Sequence, residues 1–254
     1  DTVTVSGLTT WTGGTMTGPG TTNANGGLSF SGSGAVDLTS SRVLNTAGTT
    51  TWTGTVGVRL ASGAVINNTG TWDCQSDAAL SLLSGTATFN NNAPGIFRKS
   101  GGAGTTTVNI PFNNASALDL QSGAISLNAG GTHGGSFTGS AGTTLRFGGG
   151  THTLQAASSV SASTVVFSVG TVNLDGSYSA TSGTTASGAT VNFNASSTVS
   201  SIGAALTISV GAVNFNSGDP INPTTLSQSS GTLGGTDTVT VSGLTTWTGG
   251  TMTG

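Results

Sequence analysis

Short runs in which small polar and apolar residues alternate recur along this chain about every 20 residues. Examples are TVTVSG at 2–7, LSFSG at 28–32, ATFN at 87–90, AISLNAG at 124–130 and LTISV at 206–210. Alternation with a period of two is the mark of a strand with one buried face. Clusters of Gly, Ser, Asn and Thr, such as GGTHGG and SGSG, separate the runs and read as turns and corners. The strings TVNLDG (171–176), TVNFNAS (190–196) and AVNFNSG (212–218) are variants of one another. Phe147 and Phe167, Leu154 and Leu174, and Trp52 and Trp72 are each 20 apart, and Phe89 and Phe112 are 23 apart. A hairpin meander would repeat every 8–12 residues or so. A recurrence near 20 with two or three strand segments instead fits one turn of a parallel β-helix, an all-β solenoid. Right-handed crossovers are the default for parallel strands. Corners that vary in length account for the uneven spacing, and glycine there supplies positive φ.

A second period overlies the first. Residues 1–18, DTVTVSGLTTWTGGTMTG, are repeated letter for letter at 237–254. Chance and convergence both fail to explain eighteen identities that include surface-type residues. Residues 1–236 therefore read as one long repeat of about eleven turns, each rising about 4.8 Å, and 237–254 as the start of the next identical repeat. The parent would be a tandem array. Asp1 is not preceded by a signal-type segment, so the chain reads as a mature product or an interior piece. Neither end shows a charged or amphipathic cap of the kind that protects solenoid edges.

Charge is scarce: five Lys and Arg, and eight acids that are all Asp. Five scattered cations cannot track a phosphate backbone, which excludes nucleic acid as a partner. No apolar run approaches the 20 or so residues that a spanning helix needs, so membrane insertion is not expected. Disorder normally pairs low hydrophobicity with high net charge; here 34% of residues are hydrophobic and the net charge is −3. Stacked turns explain the scarcity, because a charge repeated in register would face its own copy about 5 Å away. Asn can hydrogen-bond along such a stack, so the pairs and runs at 67–68, 90–92 and 113–114 read either as ladders or as ordinary turn residues.

Chemistry-bearing residues are few. Asp73 and Asp77 form the one close pair of acids, but hydrolysis or lyase chemistry needs convergent carboxylates with further groups. The pair reads more simply as a solvated loop, as does the basic pair Arg98-Lys99. His133 and His152, 19 apart, fall short of a metal site by themselves and read as surface or corner residues. Cys74, the only thiol, is expected to be a small, partly buried side chain; its functional alternative is an intermolecular disulfide. Trp11, Trp52, Trp72 and Trp247 lie in TWT or TWD contexts. An exposed row of them would stack on sugar rings, whereas packing at a corner or between fibres is the simpler reading. Threonine pairs lack the constant spacing of an ice-binding face. No catalytic, cofactor-binding or metal-binding residue is assigned, and no enzyme is expected.

The runs TVTVSGLTTWTGGTMTG, AGTTLRFGGGTHTL and SGATVNFNASSTV resemble repeats of very large bacterial secreted β-solenoid proteins, the filamentous-haemagglutinin-like and autotransporter-like adhesins. The resemblance spans the whole chain and is compositional. It implies an exported, extended protein at the cell surface or outside the cell. The expectation is a structural repeat unit of an extracellular β-solenoid filament whose partner is itself, end to end or laterally. The alternative is an adhesin shaft that binds a surface or glycan through exposed aromatic and Thr/Asn faces.

Overall fold

The computed structural model describes residues 1–254. All regular structure is β, and every pairing between strands is parallel. The chain divides into two compact units, residues 1–129 and 130–254. Each is a parallel β-solenoid of the expected class, with turns of about 21 residues.

In the first unit, strands fall three to a turn on three faces. Face one carries Thr2–Val5, Thr21–Ala24, Val43–Thr46, Ala64–Asn68, Ala87–Asn91 and Phe112–Asn114. Face two runs from Thr9–Thr10 and Leu28–Phe30 to Ala117–Leu120, and face three from Gly14–Met16 and Val36–Leu38 to Ala124–Leu127. Each strand pairs with the same face of the next turn: Thr2 with Thr21, Thr21 with Val43, and Ala64 with Ala87. The turn length therefore varies within the range that the sequence spacing suggests, and the corners absorb the variation.

The second unit has the same plan with tighter corners. Its face one carries Gly131–His133, Thr151–Leu154, Thr171–Leu174, residues 190–193 and 212–215, Thr232–Gly235 and Thr251–Met252. Several strands run unbroken round a corner, as in Ser159–Phe167, Ser177–Phe193 and Ala205–Phe215. Left-handed glycines occupy one corner in turn after turn: Gly150, Gly170, Gly211, Gly231 and Gly250 have φ between 70° and 87°. A Cβ at Gly170 would collide with the backbone carbonyl of Gly150 one turn away. Both the φ and the stacking thus demand glycine at this corner.

Period-two alternation turns every second side chain inward, so equivalent apolar residues stack on successive turns. Phe89 and Phe112 are register partners with centroids 5.3 Å apart. Phe147 and Phe167 stack at 5.6 Å, and Phe193 and Phe215 at 4.8 Å. These are pairs that their spacing in sequence anticipates. Trp52 and Trp72 correct the same reasoning. The local turn is 22 residues long, so Trp52 lies in register with Cys74, and Trp72 with Thr50 and Phe97. The two indoles occupy neighbouring columns and meet edge to face at 6.3 Å.

The outward columns carry the polar ladders. Along face one of the first unit each Asn amide donates to the Asn of the preceding turn: Asn45 to Asn23 (2.8 Å), Asn67 to Asn45 (3.0 Å), Asn90 to Asn67 (2.9 Å) and Asn113 to Asn90 (2.9 Å). A second, buried ladder runs beside it at the corner. Thr46 donates to Asn68, Asn68 to Asn91, and Asn91 to Asn114, at 2.8–2.9 Å. Asn192 to Asn173 and Asn214 to Asn192 repeat the device on face one of the second unit. Of the two readings open for the Asn pairs, the ladder is the one realised.

Phe193 is fully buried between Phe215 and Tyr178, whose ring centroid is 5.1 Å away. Phe193→Ala is expected to cost about 3–5 kcal/mol, and Phe193→Asp to unfold its turn and those stacked on it. Hydrogen exchange read turn by turn checks this; a Phe193→Asp chain with native protection at 171–215 would refute the register described.

Candidate functional site

Side chains with chemical potential gather at two places, one in each unit. Both lie inside the stack, where the sequence reading puts surface loops.

In the first unit, the inward column Phe30, Trp52, Cys74, Lys99, Leu120 passes through the strands Thr71–Cys74 and Ile96–Lys99. Arg98-Lys99 is thus no solvated loop: strand alternation sends Arg98 outward and Lys99 inward. Lys99 has no exposed surface. Its ammonium has three protons and three acceptors: Asp77 Oδ1 at 2.8 Å, Thr106 Oγ1 at 3.0 Å and the Ser76 carbonyl at 3.2 Å. Asp77 Oδ2 in turn accepts from the Gly104 amide at 3.0 Å. The Lys99 hydrogen bond, chief among the causes, holds the Asp77 carboxyl below its ordinary range. Gly102, with φ of 75°, lies against this carboxylate, and a Cβ there would overlap it.

Asp73 is a buried strand residue rather than a loop residue; its Oδ2 accepts from Gln75 at 2.8 Å. Arg98 lies in register between Asp73 and Asp119 and donates to Asp119 at 3.2 Å. Asp73 and Asp77 therefore serve different columns and do not converge. Cys74 is fully buried, not partly so. Burial pushes its thiol far up, which removes the thiolate that disulfide exchange requires.

In the second unit, His133 and His152 are likewise interior residues, neither surface nor corner. Their rings stack with centroids 5.3 Å apart, and His133 Nε2 lies 3.0 Å from His152 Nδ1. Phe137 and Phe147 pack on them edge to face. Burial first, and the neighbouring His152 second, push His133 down to about 3. A single hydrogen bond joins two neutral imidazoles here, with one ring as donor and the other as acceptor. No group of three or more His, Cys, Asp or Glu side chains is disposed to hold a metal ion.

The tryptophans overturn the exposed aromatic row. Trp52 and Trp72 have no exposed surface and Trp11 has 6%. Trp11 packs on Phe30 at 5.8 Å, and Phe30 on Trp72 at 5.4 Å. Only Trp247 is open, at 56%. The apolar body of an indole wins over a sugar-facing role because its strand position points inward.

Comparison of the chain with protein-family models, with curated proteins and with solved structures found no match in any of the three. The class defined by the coordinates is therefore the fold: a parallel β-solenoid whose polar interior groups satisfy one another.

Two outcomes follow. The unfolded chain takes up a histidine proton near pH 6.5, whereas native His133 refuses it down to about 3. Stability should be level above about pH 6.5 and fall as pH drops below it, by up to about 1.4 kcal/mol per unit. Urea titrations between pH 7 and 4.5 measure this, and the double variant His133→Leu/His152→Leu should flatten the slope. Separately, Lys99→Met should be less damaging than Asp77→Ala, which strands a buried ammonium. The order of their denaturation midpoints decides the matter.

Proposed function

We propose that this chain is a structural repeat unit of a large extracellular β-solenoid filament or surface fibre, exported by a bacterium in the manner of the filamentous-haemagglutinin-like proteins that its sequence resembles. The observation that carries this reading is that the stacked columns are spent on the fold itself. Aromatic rings fill the interior of each unit, and the outward Asn amides bond to the next turn. Such an arrangement supplies stiffness and offers little unsatisfied chemistry to a ligand.

Opposite charges on neighbouring turns support the same reading. Arg59 donates to both oxygens of Asp37, at 2.6 and 2.8 Å, across one turn. Arg98 and Asp119 do the same one face away. Charge is thus used to tie turn to turn. An adhesin shaft that binds glycan through exposed indoles loses its premise with the burial of Trp11, Trp52 and Trp72.

Electron microscopy and diffraction of the native material test the proposal. Continuous filaments with a layer line near 4.8 Å and a longer axial repeat on the order of 50 Å are expected. Short isolated particles without the long repeat would overturn it.

A further inference from the structure

The two identical eighteen-residue strings occupy complementary surroundings. Residues 1–18 are paired along one edge to the turn that follows them: Thr2–Val5 to Thr21–Ala24, Thr9–Thr10 to Leu28–Ser29, and Gly14–Met16 to Val36–Leu38. Residues 237–254 are paired along the opposite edge, to the turn that precedes them: Val239 to Ile221, Thr245–Trp247 to Leu226–Gln228, and Thr251–Met252 to Thr232–Leu233. The backbone of the two copies agrees where it is most particular, with Gly14 at φ 91° and its twin Gly250 at φ 87°. Side-chain exposure differs as the pairing dictates. Trp11 is covered by Phe30, whereas Trp247 is 56% and Met252 38% exposed. A recess of about 500 Å³, lined in part by Leu233, Val239 and Met252, opens beside them.

We infer that the open edge of residues 237–254 is the seat of a second copy of this chain, joined in sequence and entered through that shared turn. The turn is to the second copy what residues 1–18 are to the first. Its occupant is identified by the chain itself: the sequence DTVTVSGLTTWTGGTMTG is covered in the first unit by residues 21–38 and by nothing else. In the junction Trp247 takes the place of Trp11 against Phe30 of the second copy, and Met252 that of Met16 over Leu38. One turn is then hydrogen-bonded on both edges, and each edge's register is already realised in this structure.

The junction has a further property. In the first unit, the string's first strand lies on the face of the Asn ladder, where Asn23 donates to Thr4 at 3.1 Å. In the second unit its third strand, Thr251–Met252, lies on the face of Asn192 and Asn214, and its first strand lies elsewhere. The same eighteen residues are thus displaced by one face. The Asn-ladder face at the end of one copy consequently feeds the third face of the next, rather than its Asn ladder.

This inference rests on the tandem-filament reading and sharpens it. The test is a polypeptide in which residues 1–236 are followed directly by residues 1–254, with spin labels at Thr207→Cys of the first copy and Thr51→Cys of the second. Thr207, Ser227 and Thr246 are register partners, as are Thr10, Ser29 and Thr51. The two labels should therefore stand four rungs apart, on the order of 19 Å, in a narrow distribution. Cys74 is buried and leaves the labels to the introduced sites. In the same polypeptide, acrylamide should reach one tryptophan of seven, since the shared indole is covered from both sides. Replacing that shared indole by Lys should open the junction, broadening the distances while the circular dichroism of the two copies persists. A broad or much longer distance in the parent polypeptide, or two tryptophans quenched, would overturn the junction. Extended particles seen by microscopy with the wrong label distance would overturn the junction and spare the filament; a well-formed junction in material that never elongates would do the reverse.

Discussion

Each side chain in this fold faces the occupant of its own position one turn away, about 4.8 Å along the ladder. That proximity decides which residues are admissible. Self-complementary groups are favoured: an Asn amide is donor and acceptor at once, so a column of them from Asn23 to Asn113 bonds without interruption. A column of one charge would repel itself, and the structure has none. Where charges do occur they alternate in sign, as with Asp73, Arg98 and Asp119, or Asp37 and Arg59. The near absence of charge from the composition is thus a rule about neighbours, which admits ions in opposed pairs.

The same rule explains the polar groups inside. Lys99 follows Cys74 in an inward column, where a lone ammonium would be costly to desolvate. It is accepted because the corner of the preceding turn brings Asp77 and the Ser76 carbonyl to it, and Thr106 completes the set. His133 and His152 solve the problem differently, by remaining neutral and bonding to each other. Neither cluster leaves a nucleophile or base free beside a cleft. Their contribution is to specify which turn lies on which, since no other register satisfies them.

Period-two alternation and the spacing near 20 residues are local properties, so the solenoid class and stacks such as Phe89 on Phe112 and Phe193 on Phe215 were legible before any coordinates. Corner length is not local in that way. A corner longer by two residues shifts every partner beyond it, which is why Trp52 meets Cys74 instead of Trp72. Direction of side chains failed for a related reason. Arg98-Lys99 and the acids around Cys74 look like loop residues by type, but they lie within strands, and strand parity sends one of each neighbouring pair inward. A signal was present in the sequence: IFRK and TWDC each alternate in phase with the aromatic residue that anchors their turn.

The repeated eighteen residues show how far local sequence governs such a fold. The string makes the same bends and the same left-handed glycine in both places, with Gly14 at φ 91° and Gly250 at φ 87°. It nevertheless presents different strands to the Asn face. Strand and corner are written into the string, whereas the face is set by the turn beneath it. Thr-Val and Thr-Trp alternation makes this exchange tolerable, because an apolar residue points inward and a threonine outward whichever face receives them. Face identity is instead enforced by columns that need several turns to act together: the Asn ladders, the alternating ions and the glycine corner. A sequence that lacks those markers is free to continue the stack at any face, and that freedom makes residues 237–254 suited to join unlike faces.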